Sequence, residues 1–271
     1  MTVTRVTQFR LYWTFVLAAA LFRGIQRRDL QRIRSYFRQR YKLDEPQWVD
    51  PHQRPKRMLP GLRSIPVHPP ETFPWVVELE KAYEAILQEY RGLEKDVLHP
   101  HPQNLTDKGR WNVAYLYNMA KLDKVNADRC PRTMSALAKF PGAGTAGQAY
   151  FSIMTPGTHV RPHCGPTNKR IRCHLGLTEA RDCWIRVGDQ KLRWTPGRCI
   201  VFDDSFEHEV AHDGDTPRAV LIVDFWHPDL TEAERWALSL MRGRSRWAIK
   251  YRRRTKALQT FSNLRRREIQ Q

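Results

Sequence analysis

Along this chain the spacing of apolar residues changes several times, and each change marks an element. Residues 11–22 (LYWTFVLAAALF) form an apolar run between Arg10 and Arg23. A membrane-spanning helix needs about 20 such residues, so this run is short. It resembles the apolar core of a signal peptide, but no small-x-small cleavage site followed by a mature start is visible. Leu30, Ile33, Phe37 and Tyr41 then recur at helical spacing, interleaved with Arg28, Arg32, Arg34, Arg38 and Arg40. That pattern predicts a basic amphipathic helix, which either lies on a membrane surface or packs on the main domain. Residues 44–74 hold eight prolines, which excludes a helix and predicts an extended arm or linker. An amphipathic helix follows near 75–91, with Pro74 at its entry and Gly92 just beyond it. A shorter helix is predicted over 132–140, opened by Pro131 and closed by Pro141-Gly142.

From Gly147 the texture becomes short β-like runs: QAYFSIM, IRCHLGL, CWIRV, QKLRW, RCIVF, HEVAH and RAVLIVDFW. Their separators, PGTH, GPTN, GD, TPG and DGDTP, are rich in turn formers. Seven short strands with no helix between them call for a barrel or jelly roll. WHPDLTEAERWALSLMRG then opens a helix, with Thr231 as its cap and Glu234 three residues later. In the last stretch Trp247, Tyr251, Leu258, Phe261 and Leu264 fall roughly on one face, so a second surface helix is expected there.

Charge sharpens this division. The chain of 271 residues carries a formal net charge of +18. Residues 1–57 contribute +9 and residues 242–271 contribute +10, which leaves 58–241 at −1. The expected organisation is therefore a basic N-terminal arm over 1–43, a Pro-rich linker over 44–74, a near-neutral domain over 75–241 and a basic tail over 242–271. Basic ends suit anionic lipid head groups, nucleic acid or acidic protein. No nucleic-acid module is readable, so nucleic acid is not an expected partner. Peripheral or monotopic membrane attachment through the arm and tail is expected, with a cytoplasmic location as the alternative. Cys130, Cys164, Cys173, Cys183 and Cys199 form no CxxC pair, which argues against a zinc site or a dense disulfide framework.

Two histidines stand out from the ten in the chain. His163 precedes the tight turn CGPTN, and His208 follows the strand-turn FDDSFE. A lone histidine is normally a hydrogen-bonded structural residue, but on a jelly roll two such strand ends can meet at the barrel mouth. Arg218 follows His208 by ten residues. Asp203 and Asp204 read as turn or capping residues rather than ligands, and His159, His212 and His227 read as structural or supporting.

The run SIMTPGTHVRPHCGPTNKRIRCHLGL, then WTPGRCIVFDDSFEHEV, then RAVLIVDFWHPDL closely resembles the aspartyl/asparaginyl β-hydroxylase family. The resemblance is strong over residues 147–230 and continues more weakly back to near residue 58. It implies a mainly β fold with flanking helices around a double-stranded β-helix, a cupin-like jelly roll. It also implies an Fe(II)- and 2-oxoglutarate-dependent dioxygenase that uses O2. Most such enzymes hold iron with two histidines and a carboxylate; here Gly165 stands where the carboxylate would be. The animal members of the family share that glycine, so the resemblance implies iron held by His163 and His208 alone, with water in the vacant position.

The remaining roles are carried over residue by residue. Arg218 matches the arginine that pairs with the distal carboxylate of 2-oxoglutarate, a task suited to its planar fork. Ser152 matches the hydroxyl supporting that carboxylate. Arg172 and His174 alternate along one strand and match contacts to the co-substrate near the metal. The expected reaction is hydroxylation of the β-carbon of Asp or Asn in a peptide or protein. Lipid acyl-chain hydroxylation at a membrane and a catalytically lapsed binding barrel are the alternatives.

Overall fold

The computed structural model describes residues 5–22, 30–93, 97–103, 105–119 and 121–240. The expected tail helix over 242–271, together with Arg23 and Arg28, lies outside the described residues. Two helices come first, α1 (Arg5–Phe22) and α2 (Gln31–Arg40). The Pro-rich segment follows and contains the short strand β1 (Val67–His68). Next come α3 (Pro74–Lys81), α4 (Tyr83–Arg91), β2 (His99–Pro100), β3 (Thr106–Lys108), β4 (Trp111–Asn118), β5 (Lys121–Leu122), α5 (Lys124–Arg129) and α6 (Pro131–Leu137). The remaining strands are β6 (Ala149–Met154), β7 (His159–His163), β8 (Arg170–Gly176), β9 (Cys183–Val187), β10 (Gln190–Arg193), β11 (Cys199–Phe202), β12 (His208–His212) and β13 (Arg218–Trp226). A last helix, α7, covers 232–240.

The strands form two antiparallel sheets. The larger runs β1-β11-β8-β13-β6-β4-β2, with β5 also on β4; the smaller runs β10-β9-β12-β7-β3. Their facing sides enclose Tyr150, Val160, Ile185, Phe202, Val210 and Ile222. The outer side of the larger sheet is covered by α3, α4 and α6 through Val76, Leu79, Ile86 and Leu137. This two-sided burial explains β13, whose nine residues are all buried: a strand covered on both faces reads as a continuous apolar run. In β9, burial alternates, because one face of the smaller sheet meets solvent. Two facing sheets with non-sequential strand order make the jelly roll expected from the sequence.

Three local features depart from the sequence reading. The helix expected over 75–91 breaks at Ala82 (φ −85°, ψ 2°); alanine favours helix, so nothing in the sequence marks this break. Strand β7 forms where the sequence pattern shows a separator, since THVRPH combines turn formers with Pro162. Strand β4 lies before the run of strands that the sequence pattern marks, yet it pairs with β6 and brings Trp111 to the cavity.

α1 and α2 do pack on the main domain. Phe9, Tyr12, Val16, Ile33 and Phe37 share a core with Ala237 and Leu238 of α7. Arg32 donates from Nε and Nη2 to the two Glu234 carboxylate oxygens, at 2.7 and 2.6 Å. Glu234 also accepts from the Thr231 backbone N–H, while its own N–H donates to Thr231 Oγ1, the reciprocal cap expected there. Among the described residues, no helix is long and apolar enough to cross a membrane. All five cysteines are free.

Candidate active site

β12 pairs with β7 so that His208 stands directly opposite His163. Antiparallel register thus joins two residues 45 positions apart, and their ring centroids lie 4.2 Å from one another. His163 Nδ1 is 2.7 Å from the Arg161 carbonyl, and His208 Nδ1 is 2.8 Å from the Phe206 carbonyl. A carbonyl only accepts, so each ring carries its proton on Nδ1 and keeps its lone pair on Nε2. Burial, and then the neighbouring His163, push the His208 pKa down to about 3. Burial lowers His163 as well. Both rings are therefore neutral donors at ordinary pH.

The pair borders a cavity of about 300 Å³ between the sheets. Deep in it lies Arg218, 2% exposed. Its neighbours are the Trp194 ring face, 4.5 Å from Cζ, the Met154 sulfur and the Cys183 thiol. Nε and Nη1 have no hydrogen-bond partner, and burial lowers the pKa of the group. Both ring nitrogens of the buried His174 are also unpartnered. Burial, then Arg172 and Arg218, hold His174 well below its usual pKa. Ser152 Oγ accepts from Trp111 Nε1 at 2.9 Å, leaving its own proton free to donate.

A charged cluster also contributes Arg170, Arg172 and Asp204 to the lining. Arg172 donates from Nε to Asp224 Oδ1 at 2.8 Å, and its Nη2 lies 3.3 Å from Asp204 Oδ2. Arg170 Nη2 donates to the same Asp204 oxygen at 3.1 Å. Burial opposes ionisation of Asp204, but Arg170 and Arg172 outweigh it and hold the carboxyl at about 2. Asp204 Oδ1 has no hydrogen-bond partner.

The sequence model for "Aspartyl/Asparaginyl beta-hydroxylase" matches residues 80–228. The chain belongs to the aspartyl/asparaginyl β-hydroxylase family. Aspartate beta-hydroxylase domain-containing protein 2 of Xenopus tropicalis is 40% identical over 192 residues, covering 66% of this chain and 52% of that protein. The human aspartyl/asparaginyl beta-hydroxylase is 38% identical over 187 residues, covering 66% of this chain and 25% of its own length. The chain spans about half the length of the first of these. Solved structures are more distantly similar. An oxidoreductase of the 2OG-Fe(II) oxygenase family from Burkholderia pseudomallei gives a TM-score of 0.40 at 14% identity, covering 55% of this chain and 85% of that one. A Pseudomonas putida prolyl-4-hydroxylase gives 0.37 at 15%, covering 55% and 87%.

All six residues that the family resemblance singles out, Ser152, His163, Arg172, His174, His208 and Arg218, line this same cavity. His159, His212 and His227 do not. The sequence reading treated Asp203 and Asp204 alike, whereas the structure separates them. Asp203 makes the turn, with Oδ1 accepting from the Ser205 N–H at 2.9 Å; Asp204 faces the cavity. Trp111, Tyr150 and His101 were missed. His101 stacks on Trp111 with centroids 3.6 Å apart, and all three line the cavity. The register of β4 against β6 sets Trp111 opposite Met154, but no motif in the sequence announces that pairing.

Proposed function

We propose that this chain is an Fe(II)- and 2-oxoglutarate-dependent dioxygenase that hydroxylates the β-carbon of an Asp or Asn residue in a peptide or protein. The observation that carries this reading is the register-matched pair His163 and His208, both neutral with Nε2 lone pairs, sharing a cavity with the buried Arg218, which pairs with no carboxylate among the described residues. Two imidazole nitrogens suit a ferrous ion. Among the described residues no group of three His, Cys, Asp or Glu is arranged to hold a metal, so the other coordination positions would belong to water and co-substrate. When bound, Fe(II) with 2-oxoglutarate and O2 supplies the oxidising chemistry, with hydroxylated product, succinate and CO2 as the outcome.

The chain's own residues supply position and surroundings. The Arg161 and Phe206 carbonyls fix the tautomer and orientation of the two histidines. The Arg218 fork, with Ser152 beside it, would receive the distal carboxylate of 2-oxoglutarate; in doing so it would neutralise a buried charge that otherwise costs stability. A barrel that had lost catalysis would keep that cost with no return. Arg172 and His174, which line the same cavity, would contact the co-substrate between Arg218 and the metal, and Asp204 Oδ1 would accept from a water there. The polar wall of His101, Gln148, Arg172 and Asp204 favours an Asp or Asn side chain over an acyl chain, which would desolvate those groups without replacing their hydrogen bonds.

Contact with an anionic membrane surface is a further part of this reading. It is supported by the basic ends and by Leu11 of α1, which follows Arg10 and is 65% exposed. Sedimentation with anionic vesicles of the full chain and of Leu11→Glu tests it, and equal binding by the two would remove α1 as the contact.

The catalytic reading is tested by anaerobic loading with Fe(II) and 2-oxoglutarate, followed by exposure to air. Wild-type chain should release succinate, slowly without a primary substrate, and His208→Ala should release none. Turnover surviving in His208→Ala would overturn the metal assignment. Added peptides carrying Asp or Asn should gain 16 Da, the mass of one oxygen atom.

A further inference from the structure

The segment before β1 has too many prolines for a helix or an interior strand, and it lies outside the residues matched by the family model. It nevertheless runs across both loops that carry the histidines. On the loop before His208, Gln53 forms an antiparallel bridge with Phe206, the Glu207 N–H donates to the His52 carbonyl at 2.6 Å, and the Asp203 N–H donates to the Pro66 carbonyl at 3.0 Å. On the loop after His163, the Cys164 thiol points to the same His52 carbonyl at 3.9 Å. Arg57 bridges Thr167, and Asn168 exchanges hydrogen bonds of 2.8 and 3.0 Å with the Leu59 backbone.

Gln53 is the centre of this crossing. It is 1% exposed. Its Nε2 donates to Asp203 Oδ2 and to Ser205 Oγ, each at 2.9 Å, and its Oε1 accepts from Ser64 Oγ at 2.8 Å. Both polar ends of a buried amide are thus satisfied, as a rigid polar network requires. The residue bridged to Gln53 is Phe206, and the Phe206 carbonyl is what holds His208 Nδ1.

We propose that residues 52–66 clamp the two histidine loops together, and that Gln53 is the positioning residue through which the clamp orients His208. This rests on the reading of His163 and His208 as the metal ligands. The chain between Asp203 and His208 is a turn, closed internally by the Phe206 N–H on the Asp203 carbonyl at 3.2 Å. Where that turn sits is set by what it is bonded to, and the buried Gln53 amide binds both Asp203 and Ser205 of it.

The test is calorimetric titration of the full chain with Co(II) alone, together with the visible absorption of the bound ion. Gln53→Leu should weaken Co(II) binding about ten-fold, the lower end of what loss of a ligand-orienting partner costs, and should shift the absorption bands. Thr133→Val is the structural control. Thr133 is a buried residue of α6 that donates from Oγ1 to Glu89 Oε2 at 2.6 Å, on the helical layer outside the larger sheet and away from residues 52–66. It should lower the melting temperature while leaving Co(II) affinity and spectrum as in wild type. Ser64→Ala, which removes only the donor to Gln53 Oε1, should give a smaller loss in the same direction and serves if Gln53→Leu fails to fold. Equal weakening in the Gln53 and Thr133 variants, or Gln53→Leu and Ser64→Ala chains with wild-type affinity and spectrum, would overturn the clamp. Wild-type chain that binds no Co(II) would overturn the metal reading itself, and the clamp with it.

Discussion

The Asp204 carboxyl occupies the space that a side chain at position 165 would need: an ideal Cβ on Gly165 would lie 2.6 Å from Asp204 Cγ and 2.6 Å from the Asp204 carbonyl oxygen. A carboxylate ligand on β7's following turn and the present place of Asp204 are thus mutually exclusive. Gly165→Asp should not rebuild a three-ligand site. It should instead displace the 203–207 loop, lower stability by roughly 1–3 kcal/mol as overpacking does, and weaken metal binding. Thermal melts and a Co(II) titration check this; tighter binding at undiminished stability would refute it.

Arg218 gives a prediction with opposite signs in the two states. Without co-substrate its buried charge meets sulfur, a thiol and an indole face, so Arg218→Met should leave the free chain as stable or more stable, by up to about 4 kcal/mol. The same change should weaken 2-oxoglutarate by roughly 30-fold or more, since a buried charge pair that loses one partner costs at least about 2 kcal/mol. Melting temperatures with and without 2-oxoglutarate separate the two effects. A variant that 2-oxoglutarate stabilises as strongly as wild type would remove Arg218 from the co-substrate site.

Asp224 is 0% exposed, and besides its bonds to Arg172 it lies 3.4 Å from Arg170 Nε and accepts the Gln148 N–H at 2.9 Å. Asp224→Asn would leave two buried guanidinium groups sharing Asp204 alone. The expected loss is about 3–5 kcal/mol, read as a lower urea midpoint. Gly147→Ala should act on the same cluster, because its Cβ would stand 2.0 Å from Asp224 Oδ2.

These residues also show what the sequence could and could not disclose. His163, His208 and Arg218 are legible through the family resemblance, because each sits in a run (RPHCGPTN, FDDSFEHEV or RAVLIVDFW) that matches the family without tertiary context. The strand carrying His163 was less legible, since Pro162 and the flanking turn formers mask a strand that is stabilised by β12 and β3 on either side. Trp111 reaches Ser152 only through the β4–β6 register, and nothing near Trp111 in the sequence encodes it. Gln53 was hidden for another reason. Proline content correctly excluded a helix there, but whether an extended segment floats or is clamped depends on surfaces elsewhere in the chain.

His227 provides a pH test away from the cavity. It is 0% exposed; its Nε2 lies 3.2 Å from the Arg63 carbonyl, so that nitrogen carries the proton, and its Nδ1 accepts the Asp229 N–H at 3.2 Å. A second proton on Nδ1 would face that N–H donor. Burial, only partly offset by Asp229, pushes the pKa down to about 4, against about 6.5 in an unfolded chain. The unfolded state therefore takes up a proton before the folded state does. The contribution of His227 is fully present above pH 6.5 and is lost as the pH falls from about 6.5 toward 4, by up to about 1.4 kcal/mol per pH unit within that window. Other buried histidines titrate there too, so the informative quantity is a difference. His227→Gln can donate to Arg63 and accept from Asp229 without titrating, and the slope of its unfolding free energy against pH should be shallower than wild type by up to one proton. An unchanged slope would mean that the folded chain already protonates His227 at its ordinary pKa, and that its burial imposes no penalty on the charged ring.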